Sequence, residues 1–293
     1  MATASEWLEG ARLRTLPAAI APVIAGAAVA LHHGGFSAQR TALALVVALA
    51  LQVGVNYAND YSDGIRGTDS DANRVGPQRL VGSGAATPGQ VRLAAFACFG
   101  LAGFAGLTLI GLAGAGWLVA VGAACIAAAW FYTGGKRPYG YLGLGEVFVF
   151  VFFGLIATMG TTYVQLLTVP EGAVWAGVGT GALACAILVA NNLRDVAGDR
   201  RVGKLTLAVR LGDARTRWLY TALVFLGVLG FVEAAASTSW WGLASALAAV
   251  ALVGPVRLVL GGASGPALIR VLKLTGLAEL AAAVLLFAGL AIG

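Results

Sequence analysis

The sequence predicts an all-α fold: a polytopic bundle of about nine transmembrane helices with a polar cap at one end. Three observations carry that prediction. The 293-residue chain is 59% hydrophobic and only 11% charged, with 42 glycines, more apolar surface than a water-soluble core of ordinary composition can hide. Its apolar residues fall in stretches of spanning length, with the charges between them. Its 19 Lys and Arg against 13 Asp and Glu give a formal charge of +6, but these bases punctuate apolar runs instead of sharing one soluble face. That pattern excludes a nucleic-acid-binding domain and points to membrane topology. Cys98, Cys125 and Cys185 lie in apolar runs without C-x-x-C spacing, so neither a disulfide framework nor a zinc site is indicated.

The elements follow in order. The segment holding Glu6, Trp7, Glu9, Arg12 and Arg14 reads as a short amphipathic interfacial helix and not as a cleavable signal peptide. Spans are expected at roughly 16–33, 40–58, 92–112, 116–133, 145–168, 172–192, 218–236, 240–257 and 270–292, each near the ~20 residues that cross a hydrocarbon core. Gly114-Ala115-Gly116 and Val169-Pro170-Glu171-Gly172 split apolar regions too long for one crossing. With the N-terminus inside, Arg12, Arg14 and the connections after the second, fourth, sixth and eighth spans hold all of the 19 Lys and Arg except Arg40. The N-terminus is therefore expected in the cytoplasm and the C-terminus outside, in a cell membrane. Chemistry is expected on the cytoplasmic face, where the long polar connections at roughly 59–91 and 193–217 lie. The whole chain, 1–293, reads as one domain. It is a pseudo-repeat of four-helix groups, roughly 1–140 and 141–260, followed by a ninth helix at roughly 270–292.

Two clusters stand at corresponding helix ends. After the second span comes Asn56-Tyr57-Ala58-Asn59-Asp60-Tyr61-Ser62-Asp63, followed by Arg66, Asp69 and Asp71. If the helix continues through it, Asn56, Asn59, Asp60 and Asp63 share a face by their three- and four-residue spacing. After the sixth span comes Asn191-Asn192-Leu193-Arg194-Asp195, then Asp199, Arg200, Arg201 and Lys204. Either cluster alone could be a solvated helix cap. Their recurrence at the same place in two four-helix groups favours a shared task. Hard cations such as Mg²⁺ take oxygen ligands and keep several waters, which suits Asn and Asp fans that also hold phosphate oxygens. The bases Arg66, Arg79, Lys136, Arg137, Arg194 and Lys204 could neutralise a diphosphate, although the positive-inside rule alone would put bases there.

Between the fourth and fifth spans lies an aromatic stretch, from Trp130-Phe131-Tyr132 through Tyr139 and Tyr141 to Glu146. Tyrosine faces there could stabilise a transient carbocation, or simply anchor the helices at the interface. Glu146 is an acid at the membrane boundary. Glu233 and Glu279, inside late spans, are expected to have structural partners, with a proton path as the alternative.

At these residues the chain resembles the UbiA superfamily of intramembrane prenyltransferases, most closely its 1,4-dihydroxy-2-naphthoate branch. The resemblance runs from Arg14-Thr15-Leu16-Pro17 through Asn59 to Asp69, the Tyr139 to Glu146 segment, and Asn191-Asn192-Leu193-Arg194-Asp195 to Asp199, leading into Gly203-Lys204-Leu205-Thr206. It implies a nine-helix UbiA-like bundle whose cytoplasmic cap carries two aspartate-rich motifs that bind Mg²⁺ and the diphosphate of a polyprenyl donor. By this resemblance Asn59, Asp60, Asp63, Asp69, Asn192, Asp195 and Asp199 are metal ligands, and Asp63, Asp199, Lys204, Tyr139 and Tyr141 the catalytic set. A common superfamily form has a third Asp where this chain has Gly67, and Asp69 is expected to substitute. The implied partners are polyprenyl diphosphate, 1,4-dihydroxy-2-naphthoate and membrane lipid. Another aromatic acceptor, such as 4-hydroxybenzoate, is the alternative within the family. A secondary transporter and a CDP-alcohol phosphatidyltransferase are the alternatives outside it. The latter rests on Asp60-x-x-Asp63-Gly64, but the rest of that signature is absent.

Overall fold

A computed structural model describes residues 2–67 and 79–293. Asp69 and Asp71 lie outside the described residues. Among these, every regular element is helical. Helix α1 (Ala4–Gly10) starts at a capping box in which Thr3 and Glu6 satisfy each other's backbone amides. Helix α2 (Pro17–His32) begins with proline, whose missing N–H costs nothing at a helix start. Then come α3 (Ala38–Ile65), α4 (Pro88–Ala113), α5 (Leu118–Phe131), α6 (Gly145–Leu166), α7 (Glu171–Arg201), the short α8 (Leu207–Leu211), α9 (Asp213–Ala236), α10 (Trp240–Leu260) and α11 (Pro266–Ile292).

Nine apolar rods thus occupy the nine expected stretches, but they are not equal. Seven of the described helices are long and apolar enough to cross a membrane. Counting the bent pair Ala4–Thr15 and Pro17–His32, which turns by 49°, as one span gives eight. Helix α5, at 14 residues, reaches only ~21 Å at 1.5 Å per residue. The count of nine is therefore approximate. Helices α3 and α7 run beyond their apolar stretches, to Ile65 and Arg201, so both Asn/Asp clusters are helical and keep their turn-by-turn spacing.

Small residues set the packing. Helix α7 lies at the centre, against α2, α6, α9 and α11, and its core partners include Ala21, Ala25, Ala28, Ala234 and Ala282. In lipid no hydrophobic force draws apolar helices together, so close backbone approach has to supply the attraction. A Cβ on Gly230 of α9 would stand 2.5 Å from the Gly179 amide nitrogen of α7. Gly230→Leu is therefore expected to destabilise the bundle by roughly 1–3 kcal/mol by overpacking. A lower melting temperature and yield in detergent would show it, and unchanged values would refute this packing account.

Arg40, the one base expected on the opposite side, has a structural use. Its guanidinium donates to the carbonyls of Leu112 at 2.7 Å and Val164 at 2.8 Å, near the C-terminal ends of α4 and α6. Those carbonyls lack helical partners and carry the negative end of the helix dipole. The partner expected for Glu279 is not found. It is fully buried in α11, and neither carboxyl oxygen has a hydrogen bond among the described residues. The Thr275 hydroxyl, one turn earlier on α11, and the Tyr220 hydroxyl of α9 bond to each other at 2.7 Å.

Candidate active site

The final turns of α3 carry two polar rows with different tasks. Gln52, Asn56 and Asp60, spaced by four, hold the surrounding chain in place. Gln52 Nε2 donates to Thr15 Oγ1 at 2.7 Å, and Asn56 Nδ2 to the Ala11 carbonyl at 2.9 Å. Asp60 accepts the backbone amides of Leu80 at 2.8 Å and Val81 at 3.0 Å, one on each oxygen. Asn56, Asn59, Asp60 and Asp63 share one helix face, as their spacing predicts, but the two edges of that face meet different neighbours. Asp60, expected among the metal ligands, is an anchor for the loop at 79–86, because buried amides there need an acceptor.

The second row, Asn59 and Asp63, faces the connection between α5 and α6. Asn59 Oδ1 accepts the Thr133 hydroxyl at 2.8 Å. Asp63 Oδ1 accepts the Tyr141 hydroxyl at 2.6 Å, and Oδ2 lies 3.5 Å from the Arg79 guanidinium. Arg66 donates to the carbonyls of Thr133 and Gly135, and its guanidinium carbon lies 5.4 Å from the centre of the Tyr141 ring.

Tyr141 also reaches the second motif. Its carbonyl accepts the Leu205 amide at 3.1 Å, and Lys204 Nζ lies 5.1 Å from its ring centre. Lys204 Nζ is 4.0 Å from Asp199 Oδ1. Tyr141 thus joins Asp63 and Arg66 of the first motif to the segment that follows α7. Asp195 is held by Arg194 through two bonds of 2.7 and 2.6 Å, and Arg194 also donates to Asn191 Oδ1 at 2.9 Å. Asn192 Nδ2 donates to Glu146 Oε1 at 3.0 Å.

The other expected residues have plainer surroundings. Tyr139 donates to the Ala128 carbonyl at 2.8 Å, and its ring stacks on Phe148 with centres 3.9 Å apart, so its hydroxyl is an anchor. Lys136 and Arg137 are exposed on the connection. Tyr132, which the sequence placed in the aromatic stretch but not among the site residues, packs into this connection: its carbonyl accepts the Gly140 amide at 3.0 Å, and its ring meets that of Tyr139 edge-on with centres 5.4 Å apart. Nothing in the spacing marked Thr133, which lies in an ordinary turn before two glycines.

The donor set fits a hard cation. Asn59, Asp63, Asn192, Asp195 and Asp199 offer oxygen ligands, and Mg²⁺ keeps most of its waters, so one or two carboxylates with phosphate oxygens suffice. Consistently, among the described residues no group of three acids, His or Cys forms a self-sufficient cage. Arg79, Arg194 and Lys204 beside these acids supply positive charge for an anionic ligand.

Comparison with known proteins gives the same picture. The sequence pattern of the UbiA prenyltransferase family matches residues 19–277. A 1,4-dihydroxy-2-naphthoate octaprenyltransferase of Mycobacterium tuberculosis is 55% identical over 296 residues, covering 100% of this chain and 99% of that protein. The protein of the same name from Escherichia coli is 38% identical over 272 residues, covering 87% of this chain and 84% of the relative. Among solved structures, a UbiA homologue from Archaeoglobus fulgidus bound to DMAPP and Mg²⁺ has a TM-score of 0.65 at 14% identity, covering 98% of this chain and 100% of the other. An apo UbiA homologue from Aeropyrum pernix reaches 0.71 at 15% identity, covering 94% and 97%. At these identities the structures establish a shared fold.

Proposed function

The chain belongs to the UbiA prenyltransferase family, and from that premise we propose that it transfers a polyprenyl group from polyprenyl diphosphate to 1,4-dihydroxy-2-naphthoate. Diphosphate and carbon dioxide leave, and the product is the prenylated naphthoquinol, demethylmenaquinol, whose oxidised form is demethylmenaquinone. Relatives of that name at 55% and 38% identity support the acceptor. The observation that carries the chemistry is the junction of two Asn/Asp helix ends through Tyr141, with Arg66, Arg79 and Lys204 around it. Family membership sets aside the transporter and phosphatidyltransferase readings.

Mg²⁺ held by Asn59 and Asp63 on one side and Asn192, Asp195 and Asp199 on the other would bind the diphosphate and stabilise its charge as it leaves. Asp69 completes this proposed set from outside the described residues. Arg66, Arg79, Arg194 and Lys204, with Lys136 and Arg137 on the rim, add positive charge where negative charge accumulates. The faces of Tyr141 and Tyr139 border the region where the allylic cation forms. Asp63 and Arg66 fix Tyr141, while Ala128 and Phe148 fix Tyr139. An intramembrane site keeps water from the cation and leaves the long tail in lipid. The acceptor ring attacks the cation, then loses carbon dioxide and a proton.

The distribution of bases supports a cytoplasmic site and N-terminus and an external C-terminus. The two four-helix groups then read as α2 to α5 and α6 to α10, with α8 in the connection between motifs and α11 as the added helix. Purified protein in liposomes, given a polyprenyl diphosphate, Mg²⁺ and either dihydroxynaphthoate or 4-hydroxybenzoate, tests the reaction. Prenylated naphthoquinol with diphosphate and carbon dioxide release, abolished by EDTA, is the expected result. Prenylated hydroxybenzoate would move the acceptor, and no product from either ring with folded protein would overturn the assignment.

A further inference from the structure

Glu146 is a buried acid that the reaction as described leaves without a task. It opens α6, is 8% exposed, and is fixed from α7 at two points. Asn192 Nδ2 donates to its Oε1 at 3.0 Å, and the Cys185 thiol donates to its backbone carbonyl at 3.0 Å. Its other carboxyl oxygen, Oε2, is buried and receives no hydrogen bond from another of the described residues. Asp63, Asp195 and Asp199 each have a base within 4.0 Å, and Glu146 has none among the described residues. The bond from Asn192 of the second motif places this carboxyl at the polar end of the bundle.

A buried acceptor atom that no neighbouring side chain serves calls for a donor that arrives with a ligand. A prenyl diphosphate brings no donor, since its tail is hydrocarbon and its ionised phosphates only accept. The aromatic acceptor is the substrate that carries O–H groups. We propose that Glu146 Oε2 accepts a hydrogen bond from a ring hydroxyl of the acceptor, with Asn192 as the positioning residue that holds the carboxylate in place. This rests on the prenyl-transfer reading above and names the contact that reads the acceptor. A phenol donating to a carboxylate releases more electron density into its ring, which is what attack on an allylic cation requires.

Glu146→Gln tests the contact with little change in volume. The amide carbonyl still accepts from Asn192, while an N–H₂ donor replaces Oε2. Binding of dihydroxynaphthoate, and separately of geranyl diphosphate with Mg²⁺, is measured by calorimetry on detergent-solubilised wild type and variant. The naphthoate affinity is expected to fall about 10- to 100-fold, as for a lost charge-assisted hydrogen bond, with diphosphate affinity unchanged within about twofold. The dimethoxy analogue of the naphthoate gives a second measurement on unmutated protein. It is expected to bind wild type weakly and to lose no further affinity in the variant. Unchanged naphthoate binding in the variant, equal loss of both ligands, or loss of diphosphate and Mg²⁺ binding alone each overturns the contact. A wild type that binds no naphthoate removes the acceptor named above instead, and 4-hydroxybenzoate in the same variants then decides the contact on that ring.

Discussion

Asp63→Ala and Asp199→Ala are each expected to leave a folded membrane protein whose turnover falls by about 10³-fold or more, about 4 kcal/mol of barrier. Asp63 is the point where α3 meets both Tyr141 and Arg79, and Asp199 is the acid beside Lys204 that faces the same junction. Removing either takes away an oxygen ligand and a negative charge beside a base. The fold should survive because other residues secure both helices. Asn56 and Asp60 tie α3 to the segment around Ala11 and to the loop at 79–86, and α7 is packed through its glycines and alanines. Asp60→Ala is the contrasting control. It leaves the amides of Leu80 and Val81 without acceptors, so its loss should appear first as lower thermal stability. Rates measured beside melting curves on the same preparations separate the two cases, and wild-type turnover in Asp63→Ala or Asp199→Ala would sink the metal assignment.

Tyr141 should show the next largest effect, in two steps. Tyr141→Phe removes the 2.6 Å hydrogen bond to Asp63 but keeps the ring near Arg66 and Lys204. A single charge-assisted hydrogen bond is worth about 1.5–3 kcal/mol, so kcat/KM is expected to fall roughly 10- to 100-fold. Tyr141→Ala also removes the ring that both cations face, and with it any stabilisation of the allylic cation, for a further loss of about tenfold. Equal losses in the two variants would show that the hydroxyl alone matters. The opposite pattern, with Phe close to wild type and Ala severely impaired, would assign the effect to the ring.

Much of this was legible in the residues because it is local. Gly114 and Pro170 mark helix boundaries, and the distribution of the bases carries the expectation for the sides of the membrane. The four-residue spacing of Asn59 with Asp63, and of Asp195 with Asp199, sets each pair on one face as soon as the segment is helical. Even the exception, Arg40, was visible as an exception, although its work on the Leu112 and Val164 carbonyls was not. By itself, then, the sequence determined a helical membrane bundle with two repeated polar helix ends, and the resemblance carried by those ends named the family.

Tertiary structure decided what the polar residues do. Asp60 and Asp63 are three residues apart with the same chemistry, yet one holds backbone amides and the other meets Tyr141, because a helix turns ~100° per residue and presents them to different neighbours. Asn192 and Glu146 meet across 46 residues of sequence, and Tyr141 joins Asp63 to the segment that follows α7. Such meetings depend on how closely the helices approach and at what angle they cross. Contacts such as Gly230 on Gly179 set that geometry, and periodicity along one helix carries no information about the distance to the next.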